Sequence, residues 1–154
     1  MPPLGPSLPP GYALCTGYPS PEEYLHLRAT SGLSPKALPQ ATAALAGSWY
    51  GCYITYIRPG SDPRLPPEKV AMGRVIGDGG WYFLIADMAV LPEHQRRGLG
   101  DAVLKHLVDE IRRRKADGSA TIALFADPPG RKLYARNGFV ETAPGSVGMV
   151  AYAT

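Results

Sequence analysis

The chemistry in this chain is concentrated in one short run, Gln95-Arg96-Arg97-Gly98-Leu99-Gly100-Asp101. Ahead of it, residues 81–90 are apolar on both faces except for Asp87, the pattern of a buried strand. Behind it, Leu99, Val103, Leu107, Val108 and Ile111 recur at helical spacing and predict a helix over residues 98–115. The run therefore joins a strand to the first turn of a helix, where four amide N–H groups lack intrahelical partners. Gly98 and Gly100 let the backbone approach a ligand closely, and donors of this kind suit an anion. A hydrogen bond to a charged group contributes about 1.5–3 kcal/mol, against about 0.3–1 kcal/mol from the helix dipole. The amides should thus dominate, with Arg96 and Arg97 adding charge at the rim. The spacing is neither that of a Walker loop nor of a GxGxxG fingerprint.

Two further residues stand out. Asp87, the lone charge of its strand, must be paired, hydrated or functional. Tyr134 lies in Lys132-Leu133-Tyr134-Ala135-Arg136-Asn137-Gly138-Phe139, a short helical segment ended by Gly138. His94 belongs to the anion loop and is expected at the surface or on the phosphate side. Cys15 and Cys52 are far apart with no CxxC pair or histidine cluster, so neither a disulfide framework nor a metal site is indicated.

A strand followed by Gln95-Arg96-Arg97-Gly98-Leu99-Gly100 and an amphipathic helix resembles motif A of the GNAT superfamily of N-acetyltransferases. In that family the pattern Gln/Arg-x-x-Gly-x-Gly/Ala grips the pyrophosphate of acetyl-CoA. The segment around Tyr134 and Gly138-Phe139 is similar to the family's second signature, and together the matches cover roughly residues 70 to 140. The resemblance implies an α/β fold, a splayed mixed sheet flanked by helices, with the cofactor wedged between strands 81–90 and 121–126. It implies that backbone N–H groups near a bulge around Met88, Ala89 and Val90 bind the pantetheine arm and face the acetyl oxygen. The pyrophosphate would fall to Gln95, Arg96, Arg97, Gly98, Leu99, Gly100 and Asp101, while Lys132 and Arg136 either reach CoA phosphates or, as exposed helix cations, simply meet solvent.

By the same resemblance Tyr134 protonates the departing thiolate; a phenol near pKa 10 facing a thiol near 8.5 can share its proton. Asp87 either orients the amine, relays its proton through water, or plays a structural role. Two positions depart from the family pattern: Ala86 replaces half of an acidic pair, and Asp127 occupies the cofactor-contacting position, seven residues before the tyrosine, where asparagine is usual. An ionised carboxylate accepts hydrogen bonds but donates none. The implied activity is direct acetyl transfer from acetyl-CoA to a primary amine, without a metal, with a small molecule preferred as acceptor. The alternatives are an acyl-CoA-binding regulatory domain without catalysis and a protein or peptide amine acetyltransferase. Many relatives are homodimers, and no residue here decides that.

The elements that must position these groups can be read along the chain. Residues 1–10 read as an extended proline-rich arm, and residues 12–17 as a short strand. Ser20-Pro21-Glu22-Glu23 is a capping box opening a helix toward Gly32. A second helix is expected from Ser34-Pro35 to Ala46, and both helices are candidates for a substrate lid. Strands follow over residues 49–57, 69–76 and 81–90, the last two joined by Asp78-Gly79-Gly80. After the long helix come a strand over 121–126, a helix over 128–137, and closing strands over 139–142 and 147–152. Tyr50, Tyr53, Tyr56, Trp81, Tyr82 and Phe83 either line an aryl-amine pocket or pack in the core.

Composition bounds the rest. At 154 residues the chain reads as one domain, and 45% hydrophobic with 19% charged residues marks a globular protein. A net charge of +3 accommodates an anionic ligand without demanding nucleic acid. Arg112-Arg113-Arg114-Lys115 cannot form one basic stripe, because consecutive helical residues rotate by about 100° each. The uncharged residues 37–57 are broken by Pro39, Gly47 and Gly51, so they read as helix then strand rather than a membrane span. The first residues lack the basic and apolar regions of a secretory signal, and a reducing, cytoplasmic setting is the expectation.

Overall fold

The computed structural model describes residues 7–154; most of the expected proline-rich arm, residues 1–6, lies outside the described residues. The chain forms two compact units, one running through Ala123 and one comprising Leu124–Thr154.

The first unit is a five-stranded sheet in the order β1-β2-β3-β4-β5, formed by Tyr12–Thr16, Tyr50–Tyr56, Glu68–Gly77, Tyr82–Val90 and Thr121–Ala123. The first four strands are antiparallel and β5 runs parallel to β4. Helix α1, Pro21–Thr30, opens as its capping box predicts: the Glu23 N–H donates to Ser20 Oγ at 3.2 Å and the Ser20 N–H to Glu23 Oε1 at 3.0 Å. Helix α2, Leu38–Ala46, begins later than its sequence suggests. Pro39 supplies the early-turn proline, and the Ala37 N–H donates to Gln40 Oε1 at 3.1 Å, so the Ser34-Pro35 pair stays outside the helix. The β3–β4 turn is held by Asp78 Oδ1, which accepts from the N–H groups of Gly80, Trp81 and Tyr82 at 2.8–3.1 Å.

Helix α3, Leu99–Arg114, buries Leu99, Val103, Leu104, Leu107 and Ile111 against β2, β3 and β4. Strand alternation divides β3 between two layers. A side chain at Gly73 would meet Val103 and Leu107 of α3, whereas Arg74, one residue on, bonds Ser48 at the end of α2. Helices α1 and α2 pack on each other, and α1 contacts β3 and β4. Arg112 and Arg113 pair with Asp109 and Glu110 on their own helix, while Arg114 lies over the Trp49 and Tyr50 rings at 4.6 and 5.1 Å.

The second unit holds a 3-10 turn, Pro128–Gly130, running into helix α4, Arg131–Arg136. Three expectations are corrected in this part of the chain. The strand expected over 121–126 is only Thr121–Ala123, and residues 139–142 and 147–152 form no strand. A strand exists only by pairing, and a short hairpin alone is marginal. The hydrogen bonds of this segment instead close a local turn, with Ser146 N–H donating to the Thr142 carbonyl at 3.0 Å and Thr142 Oγ1 to the Ser146 carbonyl at 3.1 Å. Val140, Val147, Met149, Val150 and Tyr152 are exposed.

Candidate active site

Strand β4 contains a bulge. Met72 pairs with Ala89 and Arg74 with Ala86, so Asp87 and Met88 together oppose Gly73 alone. Asp87 takes up the extra residue with a left-handed backbone, φ 57°, a conformation that aspartate tolerates better than most residues.

The bulge changes which edge the strand presents. In an antiparallel ladder, alternate residues bond the neighbouring strand. Before the bulge the even positions bond β3, as the Asp78 N–H to Tyr82 carbonyl bond shows (3.2 Å). After it the odd positions do, as the Leu91 N–H to Val70 carbonyl bond shows (2.9 Å). Met88 and Val90 are thereby turned toward the opposite edge, and the Val90 carbonyl there accepts from Gln95 Nε2 at 3.1 Å. Strand β5 pairs only with residues 82–84 and does not take up this edge. Ala89, expected to share the outward role, instead faces Met72 of β3, because the bulge inverts the alternation one residue earlier.

Beyond β4 a 3-10 turn, Pro92–His94, leads into the anion loop. Arg96 and Gly98 both have left-handed backbones, φ 62° and 81°, a local geometry that aims successive N–H groups into a concavity. The N-cap residue Gly98 has no side chain with which to cap α3, whose first intrahelical bond runs from Ala102 N–H to the Gly98 carbonyl at 3.0 Å. The amides of Leu99 and Gly100 precede that bond and are in the right place for an anion. A Cβ at Gly98 would meet nothing within 4 Å, so glycine is required there by φ and not by crowding. Arg96 and Arg97 are exposed at the rim, and the Asp101 carboxylate pairs with Lys105 at 2.5 Å. These features fit a bound pyrophosphate.

His94 is buried, not at the surface as expected. Its Nδ1 shares a 2.7 Å hydrogen bond with the Tyr12 hydroxyl, and the Tyr12 and Tyr56 rings pack edge-on against it. That contact anchors the start of the loop to β1 and β2.

Asp87 has three partners. Its carboxylate accepts from Arg74 Nε at 2.5 Å, from Arg28 Nη1 and from the Tyr24 hydroxyl. Arg28 is 7% exposed and fixed by its remaining nitrogens, which donate to the Ser34 carbonyl and Oγ at 2.8–3.2 Å. Burial pushes the Asp87 carboxyl up, but hydrogen bonds from Tyr24 and Arg74 and the charges of both arginines outweigh it and hold it below the usual carboxylate range. Burial and the same carboxylate push the Tyr24 phenol up. Tyr24, Arg74 and Asp87 line a cleft with Tyr18, Leu45 and Met72 that has room for no more than a water molecule.

Tyr24, Arg28 and Arg74 did not stand out in the sequence. The available signal was Asp87 itself: a buried carboxylate needs a cation, and Arg74 is the charge midway along the neighbouring strand. The aromatic strand residues divide between core and surface. Tyr50 and Phe83 are core, Tyr53 and Tyr56 are half-buried, and Trp81 and Tyr82 are exposed.

In the second unit, Tyr134 is half-buried, its ring in edge contact with Phe139 at 6.2 Å. A Cβ on Gly130 would come within 2.8 Å of that ring, so this glycine makes room for the tyrosine. Burial first, and the Asp127 carboxylate second, push the phenol above its ordinary value. Lys132 and Arg136 flank it and are exposed, as is Asp127.

Comparison with known proteins gives the same direction. Residues 64–141, half of the chain, match the sequence model of the acetyltransferase (GNAT) domain. A chloroplastic serotonin N-acetyltransferase of Oryza sativa is 36% identical over 85 residues, 55% of this chain and 41% of that protein. The ribosomal-protein alanine N-acetyltransferase of Escherichia coli is 34% identical over 84 residues, 49% of this chain and 55% of that one. The chain thus spans about half the length of these relatives. A solved structure of a probable acetyltransferase from Staphylococcus aureus superposes with a TM-score of 0.79 at 32% identity, covering 92% of this chain and 99% of that one. With its bulged β4, its uncapped α3 and these similarities, the chain belongs to the GNAT family of acetyltransferases.

Proposed function

We propose that the protein is an acetyl-CoA-dependent N-acetyltransferase acting on a primary amine of a small molecule by direct transfer. The observation that carries this reading is the pair of main-chain donor sets on one strand-to-helix connection. One is the outward edge of Met88 and Val90, and the other the uncapped first turn at Leu99 and Gly100. Acetyl-CoA, when bound, supplies the acetyl group as an activated thioester. The Leu99 and Gly100 amides, with Arg96 and Arg97, would hold its pyrophosphate, and the Met88 and Val90 main chain its pantetheine arm. Such donors are fixed by the fold before charge develops, which is what makes them effective.

Tyr134 is the proton donor to the leaving thiolate in this reading. A phenol is protonated at neutral pH at its ordinary pKa of about 10, and burial and Asp127 raise it further. The ionised Asp127 carboxylate cannot donate a hydrogen bond to the cofactor. Asp87 is held ionised by two arginines, which makes it a poor proton acceptor; in this reading it orients the amine, whose proton passes to solvent water as the C–N bond forms and the C–S bond breaks.

The test is a thiol-release assay with acetyl-CoA and a panel of small amines and short peptides, alongside calorimetry. Turnover of a small amine is expected, and Tyr134→Phe should lower kcat far more than acetyl-CoA affinity. Turnover confined to peptides would support the second reading, a protein amine acceptor, for which the similarity to the ribosomal-protein enzyme is the ground. Binding without thiol release from any acceptor would point to a regulatory acyl-CoA-binding domain.

A further inference from the structure

We infer that Arg28 and Arg74 are positioning residues for acetyl transfer: through the Asp87 carboxylate they hold the β4 bulge in the form that turns Met88 outward. The inference rests on the proposed acetyltransferase reading and deepens it.

The bulge is not self-sustaining. A left-handed backbone at a non-glycine residue is unfavourable and persists only where its surroundings over-determine it. Here the surroundings are three side chains from two other elements. Tyr24 and Arg28 come from α1 and Arg74 from β3, and all three converge on the one carboxylate. Each arginine is itself fixed, Arg28 on Ser34 and Arg74 on Ser48 Oγ at 3.1 Å, so the carboxylate is held from a rigid frame. Rotating the Asp87 backbone back toward an ordinary strand conformation would swing its side chain away from these partners. It would also undo the change of alternation that turns the Met88 main chain to the open edge of β4. The charge arrangement and the catalytic edge are thus one mechanical unit.

A direct base role for Asp87 and this positioning role predict opposite results for one double variant. Asp87→Asn keeps the side-chain shape and the tolerance for a left-handed backbone, but leaves the buried Arg28 and the half-buried Arg74 guanidinium groups without the carboxylate between them. If the carboxylate only positions, removing one arginine as well should relieve the variant. The expected result is a loss in kcat on the order of 100-fold for Asp87→Asn, the scale of a reacting group displaced by about 1 Å. Asp87→Asn/Arg74→Gln should then recover at least about tenfold of that loss, a coupling expected only between groups in contact. Arg74→Gln alone, the milder change, should lower kcat by a smaller factor.

The second readout does not depend on turnover. The amide resonance of Met88 in 15N–1H spectra should move in Asp87→Asn and Arg74→Gln and return toward its wild-type position in the double variant. A double variant as inactive as Asp87→Asn would overturn the inference in favour of a base. An unmoved Met88 resonance in Arg74→Gln would overturn it in favour of a role in stability alone. If the wild-type chain released no thiol with any amine, the acetyltransferase reading would fail, and the Met88 resonance would still decide whether the arginines hold the bulge.

Discussion

The substitution Gly98→Asp separates folding from anion binding. At φ 81° a residue other than glycine is strained by about 1–2 kcal/mol, with aspartate toward the low end. Open space around the Cβ adds no clash, and an acidic group at a helix N-terminus returns about 0.3–1 kcal/mol. The net effect on stability should therefore be at most about 1–2 kcal/mol. The effect on binding is larger. A carboxylate at this position competes with phosphate for the Leu99 and Gly100 amides, each contributing about 1.5–3 kcal/mol to a charged acceptor. Loss of both is about 3–6 kcal/mol, and with about 1.4 kcal/mol per decade the affinity for CoA should fall by about 100-fold to 10,000-fold. Gly98→Asn, equally tolerant of the left-handed backbone but uncharged, should lose no more than about tenfold, the weight of a single neutral hydrogen-bond competitor. Calorimetry with CoA and thermal unfolding of the three proteins measure both quantities. Equal losses in the Asp and Asn variants, or wild-type affinity in Gly98→Asp, would show that the first turn of α3 is not where the phosphates bind.

Two other outcomes follow from packing and charge. Gly73→Ala places a methyl group 2.8–2.9 Å from Met88 Sδ, Val103 Cγ1 and Leu107 Cδ1. It should destabilise the fold by about 1–3 kcal/mol in urea unfolding; unchanged stability would mean that the contact between the bulge and α3 is loose. For pH, the folded Asp87 carboxyl lies below its unfolded value of about 3.9. Its stabilisation is therefore present above that value and is lost as pH falls through the lower folded value. Unfolding free energies measured across this acid window should show a shallower decline for Asp87→Asn than for the wild-type chain. Parallel profiles would show that Asp87 carries no linked proton.

How much of this was legible beforehand depended on the range of the interaction. The anion loop was readable because its signal is local: Gly98 and Gly100 stand between an apolar strand and a periodic helix, and the uncapped first turn follows from those residues alone. The capping box at Ser20 and Glu23 and the turn at Asp78 were legible for the same reason. The closing strands misled because alternation in residues 139–152 shows only that a segment could pair, while pairing needs a neighbour that the segment itself does not encode.

The sequence by itself determined the order of elements as far as α4, the phosphate-suited turn and the presence of one carboxylate in an apolar strand. Tertiary structure alone decided what that carboxylate does. Arg28 lies 59 residues from Asp87 along the chain and Tyr24 lies 63. Neither spacing nor periodicity links them, because their meeting depends on α1 packing across β3 and β4. The same holds for the bulge. Asp87 can adopt a left-handed backbone, but only the register of β4 against β3, with Gly73 alone opposite two residues, requires it to do so.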